Sequence, residues 1–156
     1  MIERVTTATL PQAAALADKL WPGHAPGALR DELVQLLGRP DAALFLAVEN
    51  SGAVGFAQCQ LRHDYVEGTH TSPVGYLEGI FVEERARHRG LAARLLAACE
   101  AWARAQGCTE FASDCALENT ASRHFHAALG FLEAGRIVCF TKPLCPPAGP
   151  AGTEEL

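Results

Sequence analysis

Apolar residues recur along the chain at intervals of three and four, which is the spacing of an amphipathic helix. Four segments have this pattern: residues 13–20, 28–37, 91–106 and 120–129. Gly38, Gly107 and Gly130 follow three of them and are expected to end those helices. Thr9 or Thr7 precedes the first and is expected to cap it. The pattern therefore predicts four helices, of which 91–106 is the most regular.

Strand-like segments, short and rich in apolar residues, alternate with these helices. There are six: residues 2–6, 43–49, 53–62, 76–82, 110–113 and 137–142. Asn50-Ser51-Gly52 supplies a hairpin turn between the second and third, and 110–113 is expected to be buried. The alternation predicts one α+β domain over residues 1–144. The tail, 145–156, is rich in proline and glycine and is expected to be disordered.

Length and composition narrow the class of protein. A chain of 156 residues with 49% hydrophobic and 20% charged residues suits one domain with a substantial core. No apolar run reaches the roughly 20 residues that span a bilayer, so no membrane partner is expected. The first ten residues lack the apolar core of an export signal, which favours the cytoplasm.

Cysteine and histidine spacing argues against disulfides and metals. The six cysteines include no C-x-x-C pair, and most are expected to be small core residues. His124 and His126 form an H-x-H pair, but no other ligand pair stands at zinc-like spacing. We therefore expect no metal site.

The net charge of −5 is the opposite of what nucleic-acid binders carry, so DNA and RNA are not expected partners. One basic cluster stands out against this acidic background: Arg85, Arg87, His88 and Arg89. Such a cluster is either a solvated face or an anion site.

The cluster belongs to an informative stretch, residues 76–102, in which a strand, a basic turn and a helix follow one another. Arg87-x-x-Gly90-x-Ala92 places small residues where the backbone can approach a ligand. Free N–H groups at a helix start, together with arginines, bind phosphate. The motif is neither a Walker loop nor a dinucleotide fingerprint, and alone it is weak. The strand–turn–helix context makes a phosphate site the favoured interpretation.

This stretch resembles the acyl-CoA-binding motif of the GNAT acetyltransferase superfamily. Downstream, Asn119, Ser122 and the segment Ala128-Leu129-Gly130-Phe131 match its later motif. The resemblance implies a mixed central sheet flanked by helices, with acetyl-CoA as co-substrate. The implied cofactor contacts are Ile80, Phe81, Val82, Arg87, His88, Arg89, Gly90, Leu91, Ala92, Ala93 and Asn119.

More specific segments are similar to the aminoglycoside 6'-N-acetyltransferases. They are Leu20 to His24, Arg62 to Val66, Ser72 to Val74, Leu77 to Val82, and Ala112 to Asp114 with Glu118 and Asn119. By this resemblance, Trp21, His24, Tyr65, Glu78 and Asp114 would line the substrate pocket. It also implies that the substrate is an aminoglycoside and that the enzyme is a homodimer.

Two positions depart from the family pattern. His126 stands where many GNAT enzymes carry a tyrosine that protonates the leaving thiolate. Gly135 stands where a further acidic residue of the substrate pocket is expected. The first leaves the general acid open, with His126 as the candidate, and the second leaves the breadth of substrate contacts open.

Acetyl transfer to an amine needs a neutral amine, a polarised carbonyl and a stabilised thiolate. Glu78 or Asp114, acting through water, would accept the amine proton, and both carboxylates would attract a polycation. Each carboxylate also has an alternative, purely structural interpretation. Glu78 could be a solvated side chain at a strand edge, and Asp114 could be a turn or helix-capping residue. The Ile80 N–H would hold the carbonyl oxygen. Direct attack needs no nucleophile, although Cys115 beside Asp114 leaves a covalent route open.

Two other functions compete with this hypothesis. A GNAT enzyme could acetylate another polyamine or a protein amine, and a non-catalytic acyl-CoA sensor could use the same fold. Thiol release from acetyl-CoA with a panel of amines separates them, because a sensor releases none.

Overall fold

Five strands form one mixed sheet, and they lie in it in chain order. The strands are β1 (Ile2–Arg4), β2 (Ala42–Glu49), β3 (Gly52–Arg62), β4 (Val74–Val82) and β5 (Phe111–Ser113). The first four pair antiparallel, and β5 pairs parallel to β4. The computed structural model describes residues 1–145. The β2–β3 hairpin turns at Asn50-Ser51, as the sequence predicts.

Helices cover both faces of this sheet because β2 and β3 alternate their apolar side chains between the two sides. The helices are α1 (Leu10–Leu20), α2 (Ala28–Leu37), α3 (Leu91–Ala105) and α4 (Thr120–Ala128). Leu44, Leu46 and Phe56 pack against α1 and α2, whereas Ala43 and Ala47 pack on the opposite face with α3. The result is a helix–sheet–helix sandwich with a core on each side of the sheet.

Helix α3 contributes more buried residues to the core than any other helix described, six in all. Leu95 and Cys99 are fully buried, and Trp102 lies beside them, which follows from their helical spacing. A short 3₁₀ turn, Glu84–Ala86, joins β4 to the loop before α3 and was not expected from the sequence. Helices α2, α3 and α4 lie within one residue of their predicted bounds, and α1 begins at Leu10, directly after the predicted cap Thr9 and before the apolar pattern of residues 13–20. No helix among residues 1–145 is long and apolar enough to cross a bilayer.

Three predictions need correction. Residues 137–142 do not form a strand, because no strand within residues 1–145 lies beside them to pair with, and Ile137 and Phe140 are exposed. β5 is half-buried rather than buried. Thr9 precedes α1, but its hydroxyl accepts from the Thr6 N–H and does not cap the helix. The expected disorder of the tail falls on residues that, beyond Cys145, lie outside the described range.

Only half of the six cysteines are core residues, although most were predicted to be. Cys59, Cys99 and Cys108 are buried, and the other three, Cys115, Cys139 and Cys145, are exposed. All six are free thiols. The neighbouring Cys59 thiol and then burial raise the pKa of Cys99, which favours its protonated form.

Candidate active site

A cleft opens where β5 leaves β4. The two strands pair at only three positions, ending with Leu77 opposite Ser113. From Glu78 to Val82, β4 continues without a strand neighbour on this side within residues 1–145. A strand edge of this kind binds an extended chain that carries amide groups. Ile80, Phe81 and Val82, the residues expected to contact a pantetheine arm, form this edge.

The basic turn follows directly after the cleft. His88 and Gly90 both have positive φ, 61° and 74°, so the chain turns sharply and α3 begins at Leu91. The N–H groups of Leu91, Ala92 and Ala93 therefore stand at a helix start, without partners inside the helix. A Cβ placed on Gly90 would meet nothing within 4 Å, so the space in front of these groups is open. This arrangement suits an anion.

The arginines of the turn are fixed by neighbouring groups. The Arg87 Nε donates to the Val82 carbonyl at 2.9 Å and ties the turn to the end of β4. Arg89 binds Glu49 at 3.0 Å, and Arg85 donates to Ser51 at 3.1 Å. Two arginines of the basic cluster are therefore held in place by contacts with the β2–β3 hairpin.

Glu78 occupies a β-bulge. Gln58 of β3 pairs with Gly79 and Cys59 pairs with Leu77, so Glu78 is the extra residue of β4. Its half-buried carboxylate receives the Arg62 guanidinium through contacts of 2.9, 3.0 and 3.2 Å. The acid in an apolar strand thus has the partner that its position requires. This contact replaces the solvated edge side chain that the sequence left as an alternative.

Arg62 and Tyr76 connect Glu78 to the second candidate acid, Asp114. The Arg62 guanidinium carbon lies 3.4 Å from the centre of the Tyr76 ring, a cation–π contact. Burial raises the pKa of Tyr76 to about 12, and the nearby Asp114 carboxylate adds to the rise. Asp114 itself is exposed directly after β5. The structure therefore brings Glu78 and Asp114 into one cluster of charges.

Trp21 packs on β4 at Gly79, the residue that follows Glu78. A Cβ on Gly79 would stand 2.3 Å from Cζ2 of Trp21, so the indole ring rests on β4 only because that position is glycine. The ring also meets Phe56 edge-on at 6.3 Å. The His24 Nδ1 lies 2.9 Å from the Trp21 carbonyl oxygen. Trp21 therefore packs on the strand that carries Glu78, and the substrate contacts of Trp21 and His24 stay predictions.

The loop of residues 63–73 carries Tyr65, which is 79% exposed and donates to Glu67 at 3.2 Å. The loop surrounds an open cavity of about 300 Å³. Glu110, just before β5, accepts from the His70 N–H at 2.8 Å and from the Thr71 hydroxyl at 2.5 Å. The hydrogen bond from Thr71, and after it that from His70, hold the pKa of Glu110 below its usual value. The loop is thus fastened to the sheet by one carboxylate.

Glu67 also lies beside Gly135, where the resemblance leads one to expect an acid. A Cβ on Gly135 would stand 3.4 Å from the Glu67 Oε1. A carboxylate is therefore present near this position, but it comes from the loop of residues 63–73.

His126 lies behind the apex of the cleft with both ring nitrogens engaged. Its Nδ1 is 2.7 Å from the Ser122 carbonyl, which only accepts, so Nδ1 carries a proton. Its Nε2 is 2.8 Å from the Ser113 hydroxyl, which also lies 3.3 Å from the Leu77 carbonyl. The imidazole therefore reaches the cleft through Ser113, and its role as general acid stays a prediction.

Asn119 has a structural role of its own. It caps α4, because its side-chain oxygen accepts from the Ser122 N–H at 3.0 Å. Its predicted contact with a cofactor stays a prediction.

The sequence did not assign roles to four residues that the structure places in the site: Arg62, Tyr76, Glu110 and Ser113. One signal was available for Arg62, because an acid in an apolar strand demands a partner. The other three become visible only once strand register is known.

Comparison with known proteins identifies the class. The sequence model of the acetyltransferase (GNAT) family matches residues 10–131. The chain therefore belongs to the GNAT acetyltransferase family.

Within that family, its relatives are more specific. It is 47% identical over 131 residues to the aminoglycoside N(6')-acetyltransferase type 1 of Serratia marcescens, covering 83% of this chain and 90% of the relative. The crystal structure of the 6'-N-acetyltransferase AAC(6')-Ig from Acinetobacter haemolyticus superimposes with a TM-score of 0.89 at 39% identity, over 93% of this chain and 99% of that chain.

The structure of AAC(6')-Iy in complex with a CoA–acetylneamine bisubstrate analogue has a TM-score of 0.88 at 40% identity, over 92% and 97% of the two chains. The chain thus groups with the aminoglycoside 6'-N-acetyltransferases.

Proposed function

We propose that this enzyme transfers the acetyl group of acetyl-CoA to the 6'-amine of aminoglycoside antibiotics and thereby confers resistance. The observation that carries the proposal is the acid pair Glu78 and Asp114. The two acids directly follow the last paired residues of β4 and β5, where the cleft opens, and Trp21 packs on β4 at the next residue, Gly79. The relatives and solved neighbours that act on aminoglycosides support it.

The cleft and the turn suit the two ends of acetyl-CoA. The pyrophosphate would bind the N–H groups of Leu91, Ala92 and Ala93 with Arg87, His88 and Arg89 nearby. The open space at Gly90 admits the approach of a phosphate. The edge of β4 at Ile80, Phe81 and Val82 would pair with the amides of the pantetheine arm.

The acid pair suits a polycation. Carboxylates bind ammonium groups by charge-assisted hydrogen bonds, and the charges of Glu78 and Asp114 both act on Tyr76. Trp21 and Tyr65 provide aromatic surfaces on which a sugar ring stacks, and His24 adds a polar group. Together these five residues form the proposed substrate site.

Acetyl-CoA supplies the acetyl group as a thioester. Glu78 or Asp114, through a water molecule, accepts the proton that the amine loses on attack. The Ile80 N–H is the proposed donor that stabilises the developing oxyanion. The Ser113 hydroxyl at the apex is the proposed proton donor to the thiolate, and a doubly protonated His126 would return a proton to Ser113 from Nε2, leaving a neutral ring with its proton on Nδ1. Cys115 is exposed and has no role in this direct transfer.

We also propose that the enzyme acts in the cytoplasm as a homodimer. Five large apolar residues between positions 132 and 144 are strongly exposed in the single chain: Leu132, Ile137, Val138, Phe140 and Leu144. Patches of this kind mark protein interfaces. A second copy of this chain, which could pair with residues 137–142, is the occupant that we propose.

The function is tested with Glu78→Gln and Asp114→Asn. Each variant removes one charged partner of the substrate, so kcat/KM for a 6'-amino aminoglycoside should fall more than tenfold, about 1.5–3 kcal/mol. The KM for acetyl-CoA should stay near the wild-type value. Glu32→Gln, which neutralises an exposed acid on α2, is the control and should match the wild type.

Mass spectrometry of the product decides the position of the acetyl group. An aminoglycoside with a hydroxyl at the 6' position should not react. Turnover of such a drug, or an acetyl group on another ring, would contradict the 6' assignment. Acetylation of polyamines alone would favour the alternative GNAT function, and binding of acetyl-CoA without any thiol release would favour a sensor.

A further inference from the structure

Arg62 lies where a cationic substrate has to bind. Its guanidinium contacts both oxygens of Glu78 and covers the face of Tyr76. It thus fills, with a group of this chain, the kind of site that an ammonium group of the proposed substrate would take. We propose that Arg62 is a specificity-determining residue that the substrate displaces from Glu78, exchanging one cation for another. This inference rests on the proposed polycationic substrate.

The contact is built so that it can open. The Arg62 side chain is 43% exposed and that of Glu78 is 20% exposed, so solvent screens the pair. Ion pairs of this exposure contribute little to stability. When Arg62 leaves Glu78, its cation–π contact with Tyr76 and the charge of Asp114 still provide an alternative position. The exchange therefore does not leave an unpaired charge in an apolar environment.

Two cations cannot share Glu78 at low cost. Arg62 already uses three contacts to the two carboxylate oxygens, and an ammonium group beside it would be repelled by like charge. Glu78 and Asp114 together carry a charge of −2, which Arg62 reduces to −1. A substrate with one ammonium group gains little by displacing an arginine, whereas a polycation keeps its other charges to interact with the acid pair. Arg62 thus selects for substrates of high positive charge.

The alternative is that Arg62 is a positioning residue that holds Glu78 in place during the reaction. The two roles predict opposite effects of removing the charge. Loss of a competing cation tightens the binding of a polycation, whereas loss of a positioning partner weakens binding or lowers kcat.

The test compares Arg62→Met, which keeps the length of the side chain without its charge, with Arg62→Lys, which keeps the charge. Binding of a 6'-amino aminoglycoside is measured by calorimetry with CoA in place of acetyl-CoA, so that no turnover occurs. The Kd of Arg62→Met should fall about two- to fivefold at low salt, the range of one exposed charge pair. Its Kd should also depend more steeply on salt. Arg62→Lys should bind nearly as the wild type does.

Arg30→Met removes an exposed charge on α2 and is the matched control, expected to leave the Kd unchanged. Thermal unfolding and CoA affinity verify that each variant is folded. Weaker binding by Arg62→Met, or a kcat reduced in both Arg62 variants, would overturn the proposal. A wild type that binds the drug but does not acetylate it would contradict the proposed function and not the role of Arg62. Absence of binding in both wild type and Arg62→Met would contradict both.

Discussion

At the scale of single residues, the site is organised around a buried phenol. Tyr76 is only 5% exposed, yet it contacts the Arg62 guanidinium and lies close to the Asp114 carboxylate. A phenol next to a carboxylate is favoured in its protonated form, because a phenolate there would place two negative charges side by side. Tyr76 thus lies near both acids without adding a charge of its own.

This environment predicts that Tyr76 loses its proton only at a pH well above the usual value for a tyrosine. The chain has two tyrosines, so Tyr65→Phe leaves Tyr76 alone to report in the ultraviolet absorbance. Its midpoint should lie at about 12, and Asp114→Asn should lower it, since burial and then Asp114 cause the rise. Because folding raises this pKa, the associated stability is complete below pH 10.0 and is lost as the pH rises toward about 12. A midpoint near 10.0 in folded Tyr65→Phe would contradict the geometry.

How much of the site could be predicted depends on whether a signal is local. The basic turn was predictable, because His88 to Ala92 are neighbours in sequence and a helix start has one geometry. The partner of Glu78 was not. Arg62 lies 16 residues away, and its approach depends on a bulge at Glu78 that no local pattern indicates. The need for Gly79 under Trp21 is likewise a contact between distant elements.

At the scale of elements, one carboxylate joins the loop of residues 63–73 to the sheet. Glu110 precedes β5 and accepts both the His70 N–H and the Thr71 hydroxyl. The loop that it holds carries Tyr65, whose ring is open to solvent. Two of the bonds that order this loop therefore end on a single side chain.

Glu110→Gln should therefore loosen the loop. A neutral amide accepts more weakly than a carboxylate, so hydrogen exchange at the His70 amide should accelerate. The KM for an aminoglycoside should rise about two- to fivefold, as one charge-assisted contact at an exposed site allows. The kcat and the KM for acetyl-CoA should stay unchanged. Glu32→Gln, an exposed acid on α2 outside these bonds, is the control, and an unchanged KM in Glu110→Gln would show that the loop does not position substrate groups.

Helices and strands were predicted well where a partner within the chain covers an apolar face. The segment of residues 137–142 shows the limit of that reasoning. Its pattern is that of a strand, but a strand exists only when backbone groups pair with a neighbour. The chain before it is anchored, since Phe131 packs on the core and Ala134 approaches Gly68. Local sequence reports the tendency to form a strand and not the availability of a partner.

At the scale of the whole molecule, an incompletely paired sheet and an unpaired apolar segment occur in the same chain. β5 is an edge strand of three residues, and within residues 1–145 nothing pairs with its outer side. Ile137, Val138 and Phe140 are 70%, 77% and 90% exposed in the segment that follows α4. Exposed edges and apolar segments of this kind are hazards that proteins cover. Pairing between two copies would cover both, which is the physical basis of the proposed homodimer.

Phe140→Asp tests this proposal. A charge in the centre of an apolar interface costs several kcal/mol when it is left unpaired, about the amount that dissociates a modest dimer. Light scattering at micromolar concentration should give a dimer for the wild type and a monomer for Phe140→Asp. Val34→Asp, which places the same charge on a half-exposed apolar residue of α2, should remain a dimer. If the interface pairs residues 137–142 as a strand, their amides should be protected from hydrogen exchange in the wild type and lose that protection in Phe140→Asp. A monomeric wild type, or a Phe140→Asp variant that still dimerises, would refute the interface.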